Sequence, residues 1–197
     1  MSVAVDHVHE TELLDPHAQL KTFWEELDIP HGWRAEILEG TVVVTPPPAF
    51  MHNRAASRLI RILAGAIPDE WDIYPELGIR LASTGDLYIP DLTICPPEVQ
   101  PTEGKVVLAE HTLLVVEITS PANADHDRKR KLWGYAHGLV PLYLLIDPHA
   151  SDGPHVALFS KPDKGIYLSM TRVPYGDPIT LPAPFDLKID TDQFPRK

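Results

Sequence analysis

Two acidic side chains, Asp91 and Glu117, interrupt apolar stretches running from Tyr88 to Cys95 and from Thr112 to Ile118. Both stretches are rich in β-branched and aromatic residues and read as strands, the second so continuously apolar that it belongs at a sheet centre, buried on both faces. If the two pair antiparallel with Cys95 opposite Leu113, then Ile94 opposes Leu114 and Asp91 opposes Glu117. Directly opposed residues share a face with Cβ atoms about 5 Å apart. Two carboxylates so placed must share a proton, meet a cation or bind a metal, and a hard divalent cation with oxygen ligands is the natural resolution. A different register would instead expose one of them.

A source of positive charge follows at once. Arg128-Lys129-Arg130-Lys131 falls in a helix expected from Asp125 to His137, with Gly138 as its C-cap. Successive residues of a helix point in different directions, so only some can face the acids. Leu132, Tyr135 and Leu139 define the buried side, and Lys131 lies at its edge on one stripe with Asp127 and Tyr135. Lys131 can lean toward the acids or pair with Asp127 at the surface. Arg128 is a candidate for nucleic-acid contact. A helix from Met51 to Ile67 turns Ala55, Leu59, Ile62, Leu63 and Ala66 inward and sets Arg54, Arg58 and Arg61 on another stripe, either a solvated face or a line of phosphate contacts.

The elements that must position these groups read as follows. Residues 1–14 lack a periodic pattern and are expected to form a loose tail, leaving 15–197 as a single domain. Asp15-Pro16 opens a helix carrying Leu20, Phe23, Trp24 and Leu27 on one face and ending near Ile29-Pro30. Ala35–Leu38 and Thr41–Val44 form a hairpin around Glu39-Gly40, and Glu76–Leu81 and Tyr88–Cys95 form a second. A polar connector reaches His111, and the strand ending at Ile118, the helix after it and Pro141–Ile146 make a right-handed βαβ unit. Short strands, His155–Ser160 and Ile166–Thr171, precede a proline-punctuated end. Asp147-Pro148-His149 reads as a turn.

Composition narrows the possibilities. At 197 residues and 44% hydrophobic, the chain can bury a substantial core without disulfides or a structural metal. Its single cysteine, Cys95, excludes an internal disulfide framework and a multi-cysteine zinc site, reads as a small buried hydrophobe, and favours the reducing cytoplasm. The ten histidines lack zinc-ligand spacing. No stretch is long and apolar enough for a membrane span. Seventeen basic residues against 28 acidic ones give a net charge of -11, which counts against a polyanionic partner. Screening beyond about 8 Å at physiological salt still lets a local basic patch hold a phosphate backbone.

The order helix, three strands, helix, strand between residues 51 and 146 is similar to the αβββαβ core of the PD-(D/E)XK nuclease superfamily, with Pro90-Asp91 resembling its P-D motif. More closely, Glu36-Ile37-Leu38-Glu39-Gly40, Pro46-Pro47-Pro48 followed by His52, Pro90-Asp91-Leu92, Val116-Glu117-Ile118-Thr119-Ser120-Pro121, Asp127 with Lys131 and Tyr135, Gly138-Leu139-Val140-Pro141 and Ile146-Asp147-Pro148 resemble the Uma-type restriction endonuclease family of bacteria. The resemblance covers about residues 33–150.

It implies an α/β restriction-endonuclease-like fold with a mixed sheet, an extra N-terminal helix and hairpin, and short C-terminal strands. It also implies a magnesium- or manganese-dependent site cutting phosphodiester bonds in DNA. Asp91 would match the motif aspartate and Glu117 the second acid, both metal ligands. Thr119 stands where the superfamily motif carries lysine, and the resemblance implies that Lys131 replaces it from the following helix. His52 and Glu36 match further family positions, as a metal contact or proton relay; they could equally be a helix-start surface residue and a partner of Arg34. A homodimer would serve cleavage of both strands. The alternatives are a binding or scaffold protein that kept the fold without turnover, and a phosphodiesterase for small or RNA substrates.

Overall fold

The structure, a computed structural model, describes residues 16–101, 106–121 and 126–196. The expected N-terminal tail, the Asp15 cap and the Asp127 side chain lie outside the described residues. Helix α1 (Pro16–Glu25) turns Leu20 and Trp24 onto the first hairpin, where the Trp24 indole donates to the Ala35 carbonyl at 2.6 Å. Phe23, expected on the same face, is instead exposed, because only a narrow stripe of this short helix meets the sheet. Strands β1 (Arg34–Leu38) and β2 (Thr41–Thr45) pair antiparallel around Glu39 and Gly40, both at positive φ, as a two-residue hairpin turn requires. Helix α2 (Phe50–Ala64) buries Ala55, Leu59 and Leu63 at i, i+4, i+8.

The second expected hairpin takes a different form. The chain runs through β3 (Asp72–Pro75), β4 (Gly78–Arg80), β5 (Leu87–Tyr88) and β6 (Leu92–Cys95). The stretch Tyr88–Cys95 is therefore two strands in two sheets. β5 pairs with β4 and β1, whereas β6 pairs with β3. The break falls at Ile89-Pro90-Asp91, where proline offers no N–H to continue a ladder. The polar connector also contains a short strand, β7 (Val106–Leu108), parallel to β4.

Strand β8 (Leu114–Ile118) pairs with β6 in the expected register, Ile94 opposite Leu114 and Leu92 opposite Val116. After it, His126–Lys131 is wound as a π-helix before α3 (Leu132–His137) continues as an α-helix, so the expected uniform helix is wider at its start. Strand β9 (Leu142–Asp147) lies parallel to β8, completing the strand–helix–strand unit. Strands β10 (His155–Asp163) and β11 (Ile166–Pro174), nine residues each, form a hairpin longer than the short strands expected, and β12 (Ile179–Leu181) pairs with β13 (Leu187–Ile189).

The strands make two mixed sheets, β2-β1-β5-β4-β7 and β11-β10-β9-β8-β6-β3, plus the small β12-β13 pair. Alternation along β8 separates two cores. Leu114, Val116 and Ile118 join Leu92, Ile94 and α2, while Val115 joins Tyr88, Tyr135, Tyr143 and Leu38 between the six-stranded sheet, α3 and the five-stranded sheet. By the same alternation Glu117 faces that second core. Among the described residues, no helix is long and apolar enough to cross a membrane.

Candidate active site

Glu117 is 3% exposed, and burying a carboxylate in a tyrosine- and leucine-lined core is costly unless its oxygens are met. Its Oε1 accepts from Lys131 Nζ at 2.9 Å and, at very short range, from the Tyr135 hydroxyl. Lys131 and Tyr135 are one helical turn apart, so both reach the same oxygen from α3 and its approach. Lys131 Nζ also lies 2.9 Å from Glu36 Oε1, and that oxygen accepts the Ile89 amide at 2.7 Å. A lysine only 4% exposed thus bridges two buried carboxylates from different sheets. Burial, with the Glu117 charge, pushes the Tyr135 phenol well above its ordinary range, so it donates and stays protonated.

Asp91 lies at the sheet crossover, one residue before β6. Its Oδ1 accepts from Arg34 Nη1 at 3.1 Å, and its Oδ2 from His52 Nε2 at 2.9 Å and the Ile118 amide at 2.8 Å. Burial pushes the Asp91 carboxyl up, but the His52 hydrogen bond and charge, the Arg34 guanidinium and the Ile118 N–H outweigh it and hold the pKa below the ordinary carboxylate value. An ionised carboxylate only accepts, so His52 donates. Burial lowers the Arg34 pKa; its attraction to Asp91 outweighs that, and the guanidinium is held above its ordinary value.

Asp91, Glu117, Lys131, Glu36 and His52 are therefore brought together from β1, α2, the crossover, β8 and the start of α3. The helix residue Lys131 faces inward rather than remaining at the surface, and Glu36 pairs with Lys131 rather than with Arg34. The sequence offers Arg34 only as a partner for Glu36; the i, i+2 spacing puts both on one face of β1, but the guanidinium meets Asp91 instead. Arg54 and Arg58 stand apart, along a concavity shared with Asp192 and Arg196.

Arg128 is bound elsewhere. Its Nε and Nη2 donate to the two oxygens of Asp147 at 2.6 and 3.0 Å. Thr119, in the place of the superfamily lysine, donates to the same aspartate at 2.7 Å. The expected turn is present at Pro148-His149, with the His149 amide donating to Asp147, but Asp147 is also fully buried at the end of β9, where it ties in Thr119 and Arg128. Burial raises its pKa, while Arg128, Thr119 and the His149 amide outweigh this and lower it.

The acids also bear on metal binding. Among the described residues, no three His, Cys, Asp or Glu side chains form a ready cation cage. The donor chemistry nevertheless fits magnesium, which is commonly held by one or two carboxylates with its remaining positions filled by water and substrate oxygens. The expected direct pairing of Asp91 with Glu117 is not made: the β6–β8 ladder stops at Leu92 and Val116, Asp91 turns to Arg34, His52 and the Ile118 amide, and Glu117 turns to Lys131 and Tyr135.

Lys131 thus bridges Glu36 and Glu117, and Asp91 follows Pro90 at the strand break. Over residues 20–192 the sequence matches the family Uma2, described as "Putative restriction endonuclease". The chain belongs to the Uma2 family. Among curated proteins, this Uma2 chain is 25% identical over 118 residues to "Uncharacterized protein sll1609" of Synechocystis sp., a match covering 58% of this chain and 66%, just under two thirds, of that protein. Its fold is that of the crystal structure of "a putative nuclease belonging to DUF820" from Anabaena variabilis, at 16% identity and a TM-score of 0.69, covering 89% of this chain and 96% of the other.

Proposed function

We propose that this chain is a divalent-metal-dependent endonuclease that hydrolyses phosphodiester bonds in DNA, with magnesium or manganese at Asp91 and Glu117. The carrying observation is Lys131, held at 2.9 Å from both Glu36 and Glu117 in a site next to Asp91. The ion would lower the pKa of a bound water and offset charge on the scissile phosphate. Lys131 supplies a fixed positive point charge for a phosphate oxygen and for orienting the attacking water. Glu36 and Tyr135 hold Lys131 and Glu117 in place, and His52 orients Asp91. Arg54 and Arg58 offer phosphate contacts along the approach. Cleavage of both strands would use two chains about a two-fold axis. The single, buried Cys95, with its thiol pushed up to about 11 by burial, agrees with a cytoplasmic setting.

A second reading is a binding or scaffold protein that retains the fold without turnover. The net charge of -11 and the engagement of all three acids by Arg34 and Lys131 favour it. Calorimetric titration of magnesium and manganese, followed by plasmid nicking on the same samples, separates the two. The endonuclease reading expects ion binding that is lost in Asp91→Ala and nicking that is lost in Asp91→Ala, Glu117→Ala and Lys131→Ala. Ion-independent samples that never nick plasmid would leave the scaffold reading.

A further inference from the structure

A pocket of about 250 Å³ opens beside Asp91, between the start of α2 and the ends of β8 and β9. Its walls are largely carbon, from Ala49, Met51, Ile118 and Pro121. Thr119, Ser120, His149 and Arg196 also line it, and two buried polar atoms belong to lining residues. His52 Nδ1 and Tyr175 Oη are closed to solvent and, among the described residues, have no hydrogen-bond partner. The His52 side chain is only 9% exposed, and its other nitrogen is the one bonded to Asp91. Unpaired buried polar atoms cost free energy, so an occupant that brings complementary groups gains what an apolar occupant cannot. Both residues line the pocket, so contact with an occupant requires their rings to turn these atoms to its surface.

Size and neighbourhood restrict the occupant. At about 30 Å³ per water, the pocket has room on the order of eight waters, which matches one flat ring system and is too little for a peptide segment. A phosphate would lose its hydration against these carbon walls, whereas a heterocycle with polar edges is matched by apolar faces and two rim hydrogen bonds. One ring away stand the acids at which a phosphodiester would be cut. On the other side Met51, Pro195 and Arg196 are shared with the concavity carrying Arg54 and Arg58, so a phosphate backbone can continue there.

We propose that this pocket takes one unstacked nucleobase of the strand being cut, with His52 Nδ1 and Tyr175 Oη contacting its edge. The assignment of the strand rests on the endonuclease reading. It makes Tyr175 a base-contacting residue and His52 a link between base and acid, so that the acid Asp91 is held by a histidine whose ring is fixed by the base next to the cut. Enzymes that read an extruded base use this combination of stacking walls and edge hydrogen bonds.

The test uses the full chain without divalent ions, titrated by calorimetry with the four deoxynucleoside 5′-monophosphates and with deoxyribose 5-phosphate as the base-free probe. At least one nucleotide should bind tenfold or more tighter than the sugar phosphate. Ala49→Phe, which fills the pocket mouth, should remove that difference. Tyr175→Phe, which keeps the ring and removes the hydroxyl, should reduce it by about threefold or more, with sugar phosphate binding unchanged in both variants. Equal affinity for nucleotide and sugar phosphate, or an undiminished base preference in Ala49→Phe, overturns the proposal. Plasmid nicking on the same preparations keeps the two readings distinct. Nicking without base preference overturns the pocket alone; base preference without nicking supports the pocket and overturns the endonuclease reading.

Discussion

Lys131 sits in a nearly dry site with Glu36 and Glu117 each 2.9 Å from its nitrogen, so the three side chains form one buried, mutually dependent network. Removing one member leaves the others buried and uncompensated. Lys131→Met should therefore abolish nicking and lower stability by about 3 kcal/mol, read by urea denaturation. Adding Glu36→Gln to that variant should recover part of the stability and none of the activity, because the two positions share one network. Arg34 is a competitor for the same acid that would bind an ion. Its guanidinium lies 3.1 Å from Asp91, so Arg34→Gln should tighten magnesium binding by about tenfold, equivalent to about 1.4 kcal/mol, measured by calorimetry. Unchanged or weaker binding would mean that Asp91 is not the ion's ligand.

Helix α3 reaches the site only because it packs unusually close to β5. A Cβ at Gly134 would collide with the buried Tyr88 ring, so this position needs glycine for space rather than for backbone freedom. Tyr88 and Tyr135 meet edge to face at 5.3 Å, which makes the same contact the floor under Glu117. Gly134→Ala should lift α3, cost about 2 kcal/mol and lower the melting temperature by about 6 °C for a chain of this size, measured by calorimetry. Nicking should fall more than stability alone explains, because Lys131 and Tyr135 move with the helix. The π-wound stretch His126–Lys131 has a related role: it precedes α3 directly and carries Arg128 to Asp147 and Lys131 to Glu117.

At the scale of the whole molecule, Asp147 contributes to the acid limit of stability. Asp147 is held below the ordinary carboxylate pKa when folded, so the unfolded chain takes up its proton first as pH falls. Its contribution is complete above about 3.9, the unfolded value, and is lost as pH falls through the lower folded value. Asp147→Asn should lower the melting temperature near neutrality by about 6 °C, for a loss of about 2 kcal/mol, and flatten the acid-side slope below pH 4. A parallel slope in wild type and variant would show that Asp147 does not titrate differently in the two states. Much of this architecture was legible in the sequence. Local periodicity located α2, the β1–β2 hairpin, β8 and β9, and the apolar pattern of β6 and β8 was enough to set their register, since a slip by one residue would turn every side chain to the wrong face. The helical spacing of Lys131 and Tyr135 likewise put both on one stripe. Periodicity was silent on the break at Pro90, because a run of alternating residues looks the same whether one sheet or two receive it. Arg34 on Asp91, Arg128 on Asp147 and the pocket beside His52 were decided by tertiary structure alone, since each joins segments far apart in the chain, and no local pattern encodes which distant cation a buried acid will meet.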